Sequence, residues 1–251
     1  MGHGHDRHGH DGHGHDGHGH PADGHGDSED GHGEWNSPWH YTEEFWDERY
    51  RTADQLWSGQ PNPQLVAQVS GLPPGDALEA GCGEGADAIW LAGRGWTVTG
   101  VDVSGVALER AARHAAGQRP ELVSRLTWQR HDLREWTPEP DRFDLVTAAF
   151  MHLTGDELTA FHRRLARAVR PGGTLLIVAH HADDRHANVG RPHEPALFPT
   201  AQGMAAGLLD QQRDTGRWEV GVASAFTRAA TDLDGQPTTV KDTVLRMVRL
   251  R

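Results

Sequence analysis

Residues 79–85 read Glu79-Ala80-Gly81-Cys82-Gly83-Glu84-Gly85, three glycines at alternate positions with one carboxylate before them and one among them. Glycines so spaced let a ligand approach the backbone closely. The apolar run before them (Ala77-Leu78) marks a strand, and the sequence after them is helix-like. About twenty residues on, Thr97-Val98-Thr99-Gly100-Val101 ends in Asp102, placed to accept hydrogen bonds from both hydroxyls of a ribose. A pyrophosphate asks for G-x-G-x-x-G on a helix N-terminus, where N–H groups and the dipole favour anions. Here the third glycine falls one position early, and Glu79 and Glu84 would repel an anion. The turn suits a cationic nucleoside, and S-adenosylmethionine, with its sulfonium and ammonium, fits better than a dinucleotide.

Methyl transfer from a sulfonium is an in-line displacement that depends on holding nucleophile and methyl carbon in near-attack geometry. An anionic nucleophile such as a thiolate needs no base, whereas a hydroxyl or ammonium does. His152, just past the apolar run Phe143–Ala148, is the candidate base, with His180 and His181 as second choices. Cys82 reads as a small packing residue within the turn. Trp46, Tyr50 and Trp57 are candidates for a lid, because aromatic faces attract a sulfonium through cation–π contact.

These groups need elements to position them. Phe45, Trp46, Arg49 and Tyr50 recur at helical spacing and predict an amphipathic helix over 42–51. Pro61-Asn62-Pro63 opens a helix over 64–70, and Leu72-Pro-Pro-Gly75 ends it. Helices follow over 86–93, over 105–116 with Ser104 as N-cap and Gly117 as stop, and over 156–169 with Thr154 as cap. Strands are expected over 97–101, 126–130, 143–148 and 174–179, the last entered by a tight turn at Arg170-Pro171-Gly172-Gly173. Residues 180–199 read as a long polar loop and a candidate substrate lid. A helix over 201–212 precedes two alternating segments, 218–228 and 239–249, that predict a hairpin with Asp234–Pro237 as its turn.

The chain resembles the class I S-adenosylmethionine-dependent methyltransferases over roughly residues 41–251. The motifs concerned are Glu79–Gly85, Val101-Asp102-Val103-Ser104, His131-Asp132-Leu133, Phe143-Asp144-Leu145-Val146 and Arg170–Gly173. Trp46-Asp-Glu-Arg-Tyr50 and Gly85–Ala92 look most like the small-molecule enzymes of the thiopurine and tellurite-resistance type. The resemblance implies an α/β, Rossmann-like doubly wound fold with a mostly parallel seven-stranded sheet and the C-terminal antiparallel hairpin. It implies that Glu79, Gly81, Cys82 and Gly83 hold the methionine end, and Asp102 with Val103 the ribose. Asp132 would bond the adenine amino group and the Leu133 N–H a ring nitrogen, with Ala148 lining the exit of the fourth strand. The N-terminal aromatic segment would close the site.

Composition narrows the partners. The formal charge is −12, and residues 1–34 alone carry eight acids and one arginine. No basic stripe offers a nucleic-acid footprint. No apolar run approaches the length of a membrane span and no secretory signal is evident, which together with the single Cys82 predicts a cytoplasmic protein acting on a small-molecule substrate. Residues 1–34 repeat His-Gly-His-Asp every five residues and contain no core-forming side chains, so they predict a disordered tail ahead of a catalytic domain over 35–251. Its histidines, His3, His5, His8, His10, His13, His15, His18 and His20 foremost, could bind Ni²⁺, Zn²⁺ or Cu²⁺ weakly, without a fold to fix the geometry. Two further readings stay open: a metalloid- or metal-detoxifying methyltransferase whose tail buffers metal, and a non-catalytic domain that binds cofactor or metal.

Overall fold

A computed structural model describes Met1 and residues 42–191, 194–210 and 216–250. The chain divides into two units, Met1–Asp30 and Gly31–Arg251. The expected tail, its eight metal-candidate histidines, and Trp35, Trp39 and Tyr41 lie outside the described residues.

The helices are α1 (Glu43–Arg51), α2 (Pro63–Val69), α3 (Ala86–Gly93), α4 (Gly105–Gln118), α5 (Gly155–Ala168) and α6 (Ala201–Leu209). The strands are β1 (Asp76–Ala80), β2 (Thr97–Asp102), β3 (Leu126–Arg130), β4 (Phe143–Ala149), β5 (Val169–His180), β6 (Trp218–Thr231) and β7 (Pro237–Arg249). The seven strands form one sheet in the order β3-β2-β1-β4-β5-β7-β6. Strands β1 to β5 run parallel; β7 lies antiparallel between β5 and β6. The strand order reverses between β1 and β4, and open α/β sheets bind ligands at the carboxyl ends of the strands at such a point.

Both faces of the central strands are covered, which is why they read as nearly continuous apolar runs. Alternate residues go to opposite layers: Leu78, Val146, Leu175 and Ile177 pack with Phe161, Leu165, Met204 and Leu208, near α5 and α6. Ala77, Leu145, Leu176 and Val178 pack with Leu65, Val69, Ala88 and Leu91, on α2 and α3. The helix starts follow their caps. Thr42, Asn62 and Ser104 accept from Phe45 N, Gln64 N and Ala107 N, whereas Thr154 occupies the cap position of α5 without a side-chain bond.

Several expectations need correction. Gly117 does not stop α4, which runs to Gln118. Arg170–Gly173 is not a separate turn but part of β5. The register slips between the pairs Phe143/Val169 and Leu145/Thr174, so the extra residues bulge out. Gly172 takes up the bulge at φ +88. A side chain on Gly173 would meet the Asp144 carbonyl oxygen at 2.9 Å. The helix expected over 201–212 ends at Leu209, and the hairpin strands run longer than the alternating segments, to Thr231 and from Pro237. The polar loop contains two 3₁₀ turns, Ala182–Asp184 and Pro195–Leu197.

Candidate active site

The glycine turn leaves the carboxyl end of β1 and bends back on β2, with Gly81 and Cys82 both donating to the Val101 carbonyl (2.7 and 3.0 Å). Gly81, Gly83 and Gly85 all lie at positive φ (76, 51 and 83), which side-chain-bearing residues rarely adopt. Asp102, at the end of β2, is buried and ties the turn down. Its carboxylate accepts from Gly83 N at 2.8 Å and Ser104 N at 3.0 Å. Burial raises its pKa, opposed by these donors and by the Val103 N–H.

Glu79 projects from β1 toward the first turn of α3. Burial, then the neighbouring Asp87 and Asp102, push its pKa well up against one bond from the Ala88 N–H. Its Oε2 atom is buried without a hydrogen-bond partner. Asp87 accepts from Asn62 N at 2.6 Å, and burial lifts its pKa to about 6. Three carboxyls thus stand behind the turn with few donors among them. Glu84 does not join them. It accepts from the Leu56 and Trp57 amides at 3.1 Å and pairs with Arg110 at 3.0 Å, so it anchors a loop rather than facing a ligand. Burial, Asp102 and Glu79 push the Cys82 thiol well above its ordinary pKa, which keeps it protonated.

The aromatic segment covers the turn. Asp47 on α1 accepts from Ser104 Oγ at 2.6 Å, fastening α1 to the start of α4. Trp57 Nε1 donates to Tyr50 Oη at 2.9 Å. Both stand over Gly83: a Cβ there would lie 2.9 Å from Tyr50 Oη and 3.3 Å from Trp57 Nε1. Trp46 is set apart, its ring 6.3 Å from Tyr50 and 5.6 Å from His152. Across the turn, a Cβ on Gly81 would meet Met151 Sδ at 2.5 Å and Leu133 at 4.0 Å. The front of the turn is therefore lined by Tyr50, Trp57, Met151 and Leu133.

Other expected residues are placed less simply. Asp132 follows β3 as expected. Its carboxylate, however, is already held by Arg134, through Nε (3.0 Å), Nη2 (2.6 Å) and the backbone N–H (2.9 Å), which lowers its pKa. An adenine amino group would have to share it. Beside it His131 stacks on Trp136 at 4.8 Å. Val103 is partly buried. Ala148 is fully in the core, paired with Ala80 and Ile177, so it can line a site only through its backbone.

On the far side, the exits of β4 and β5 bring together residues from distant segments. Phe150 sits at φ +54, an uncommon conformation for a bulky residue, fixed by its N–H to the Val178 carbonyl at 2.8 Å. Its ring stacks on His180 at 4.4 Å. His152 lies 6.1 Å from His180. Arg191 lies against the His180 ring nitrogens and over the Phe150 ring. Behind them Asp242 of β7 is buried between Arg191 and Arg228. His181 instead caps a 3₁₀ turn, accepting from Asp183 N at 3.2 Å. Sequence reasoning missed Asp87, Met151, Arg191, Arg228 and Asp242. Asp87 stands inside the Gly85–Ala92 motif and Met151 beside the candidate base His152, and both could have been found there; the other three carry no local signal.

A cleft of about 390 Å³ opens elsewhere, between residues 55–61, α3 and α4, lined by Trp90, Arg94 and His114 among others. It borders Glu84 but none of Glu79, Asp102, His152 or Arg191. The converging side chains, not this cleft, mark the candidate site.

A family model described as a methyltransferase domain matches residues 77–173. The chain is 30% identical over 148 residues to a 2-heptyl-1-hydroxyquinolin-4(1H)-one methyltransferase of Mycobacteroides abscessus, covering 56% of this chain and 64% of that one. It is 30% identical over 159 residues to thiocyanate methyltransferase 1 of Brassica oleracea, covering 62% and 67%. The match thus spans about two thirds of these relatives' length. Among solved structures it resembles the N-methyltransferase NodS of Bradyrhizobium japonicum in complex with S-adenosyl-L-homocysteine, with TM-score 0.60 and 18% identity over 84% of this chain and 100% of that one.

Proposed function

The chain belongs to the class I S-adenosylmethionine-dependent methyltransferases, and from that premise we propose that it methylates a small-molecule acceptor in the crevice between the glycine turn and the exits of β4 and β5. The observation that carries this reading is the buried Oε2 of Glu79, which has no hydrogen-bond partner and stands beside Asp87 and Asp102. Buried carboxyls short of donors favour a positively charged neighbour. These residues fit S-adenosylmethionine.

Bound there, S-adenosylmethionine supplies an electrophilic methyl carbon on its sulfonium. The work of the chain is then to bind, orient and exclude water. Glu79 and the backbone of Gly81, Cys82 and Gly83 take the charged amino-acid end. Asp102 and Val103 take the ribose, and Asp132 and Leu133 the adenine, with Asp132 sharing its oxygens between Arg134 and the base. Tyr50 and Trp57 close over the turn, while Trp46 and the backbone of Ala148 border the path toward His152. His152 takes the proton of a hydroxyl or ammonium acceptor and is idle for an anionic one. Both curated relatives are named for small acceptors, a hydroxyquinolone and thiocyanate, which favours a small acceptor here.

We place the enzyme in the cytoplasm, in keeping with its single, buried thiol; no helix among the described residues is long and apolar enough to cross a membrane. Residues 1–34 we take as an appendage to the catalytic unit that binds transition metals weakly. Among the described residues no cluster could hold a metal ion, so neither a metal-detoxifying nor a purely metal-binding role draws support from the folded part.

Calorimetric titration with S-adenosylmethionine, S-adenosylhomocysteine and NADH tests the proposal. Micromolar binding of the two adenosyl ligands without an NADH signal is expected; silence from both adenosyl ligands would overturn it.

A further inference from the structure

The exits of β4 and β5 hold an imbalance of charge that the cofactor reading does not use. Asp242 is fully buried, and its one negative charge serves two guanidiniums. Arg228 takes the better share, with Nε 2.6 Å from Oδ2, an oxygen also 3.4 Å from Gln64 Nε2. Arg191 is left with a 3.7 Å approach to Oδ1, too long for a hydrogen bond. Its side chain is only 8% exposed, and its Nε has no acceptor. Its Nη1 lies against the ring nitrogens of His180 and its guanidinium over the Phe150 ring, and His180 itself lies 6.3 Å from Phe198. Burial, with Arg228 nearby, draws the Arg191 pKa down to about 10, which still leaves it charged at neutral pH. The cluster of Arg191, Arg228 and Asp242 carries a net positive charge, with Arg191 and Asp242 shielded from bulk water. An uncompensated buried charge is costly, and an incoming counter-ion relieves that cost.

We propose that Arg191 is a specificity-determining residue that selects acceptors carrying a full negative charge. The proposal rests on the methyltransferase reading, because only there do the exits of β4 and β5 become the acceptor side. Phe150, held at positive φ, and His180 stack together and fix the guanidinium from one side, while Asp242 holds it from behind. When the negative charge sits on the reacting atom, that atom's lone pair forms the new bond to the methyl carbon. The carbon–sulfur pair returns to sulfur, and the anion becomes neutral with no proton to remove. When the charge sits elsewhere on the acceptor, Arg191 orients the molecule and His152 takes the proton.

The test uses the full chain saturated with S-adenosylhomocysteine, titrated calorimetrically with thiocyanate, benzoate and benzamide. Benzoate and benzamide have nearly the same shape and differ in charge; thiocyanate places the charge on a reacting atom. Benzoate and thiocyanate are each expected to bind at least about tenfold more tightly than benzamide, as a charge-assisted hydrogen bond allows. Arg191→Gln should erase that preference and Arg191→Lys should keep part of it, with S-adenosylhomocysteine affinity unchanged in both. Equal binding of benzoate and benzamide, no binding of either anion, or a preference that survives Arg191→Gln would each overturn the proposal. If Arg191→Gln fails to fold, Arg191→Lys decides the matter, because a benzoate-to-benzamide ratio unchanged from wild type in that variant would overturn the assignment to Arg191. Failure of S-adenosylhomocysteine itself to bind would instead strike at the methyltransferase reading.

Discussion

The two sides of the crevice are built on opposite electrostatic plans. On the β1–β2 side, Glu79, Asp87 and Asp102 crowd behind a glycine turn, all with carboxyl pKa values raised chiefly by burial. On the β4–β5–β7 side, two guanidiniums share one buried carboxylate. The first side lacks positive charge and the second lacks negative charge. A displacement in which a cation hands its methyl group to an electron-rich atom needs that polarity in that order. Neither side is an ideal structural solution taken alone, since both leave buried polar atoms unpaired, among them Glu79 Oε2 and Arg191 Nε.

The comparison breaks most decisively at Asp242. Replacing it with alanine leaves two guanidiniums facing each other in a buried space. Breaking a buried pair by removing one partner costs about 3–5 kcal/mol, so Asp242→Ala should lower denaturant-measured stability by that amount. Asp242→Asn, which keeps some hydrogen bonding, should cost less. A loss of under about 1 kcal/mol for the alanine variant would mean that Asp242 does not anchor the basic side.

On the acid side the largest effect is expected at Asp102. Its carboxylate organises the turn through Gly83 N and Ser104 N, and under the proposed function it also takes the ribose. Asp102→Ala removes both backbone bonds, each worth about 1.5–3 kcal/mol when the acceptor is charged. S-Adenosylhomocysteine affinity should fall roughly a hundredfold, equivalent to about 2.7 kcal/mol. Unchanged affinity would refute the role assigned to this acid.

The two sides also differ in how far they could be read from the sequence. Glu79, the glycine turn and Asp102 were legible because they lie within 24 residues and each has local punctuation, glycines at alternate positions or an acid closing an apolar run, whereas Asp87, inside α3, was missed. Helices α2 and α3 and strand β3 were legible for the same reason, with caps, prolines or glycines at their ends. Glu84 misled because type and position alone make it resemble Glu79. Only the fold reveals that the loop amides of Leu56 and Trp57 and the Arg110 guanidinium consume it. The bulge at Arg170–Gly173 misled because Pro-Gly-Gly is also turn chemistry. On the basic side only His152, His180 and the polar loop were read, and the charged groups Arg191, Arg228 and Asp242 were not. His180 and Asp242 become neighbours only through the antiparallel register of β5 and β7, and Arg191 arrives from a loop without periodicity.

Acidity offers a gentler way to separate the sides. A carboxyl with a raised pKa takes up its proton as pH falls through that value, and here the charge that attracts the cofactor goes with it. Asp87 titrates near 6, and Glu79 is shifted in the same direction. With Asp87 as the titrating group, S-adenosylmethionine affinity should weaken as pH falls through about 6, by up to roughly tenfold per pH unit for one linked proton. Arg191, charged at these pH values, gives anion binding no matching loss from its own titration. Cofactor affinity that stays flat down to pH 5 would remove the acid cluster from the binding account.

The smallest expected effect lies in the lid, and it sharpens the contrast rather than breaking it. Trp57 is 44% exposed, so its hydrogen bond to Tyr50 competes with water and contributes little to the fold. Yet the bond holds an indole directly over Gly83, where its position matters only when a ligand lies beneath. Trp57→Phe keeps an aromatic face and removes the N–H donor. A single neutral hydrogen bond contributes about 0.5–1.5 kcal/mol, so cofactor affinity should fall about three- to tenfold with stability nearly unchanged. Tyr50→Phe removes the same bond from its acceptor end and should give a similar loss in cofactor affinity. If the double variant is no weaker than either single one, the two residues act through their shared bond. If the losses multiply, each ring touches the cofactor separately and the lid is two contacts rather than one latch.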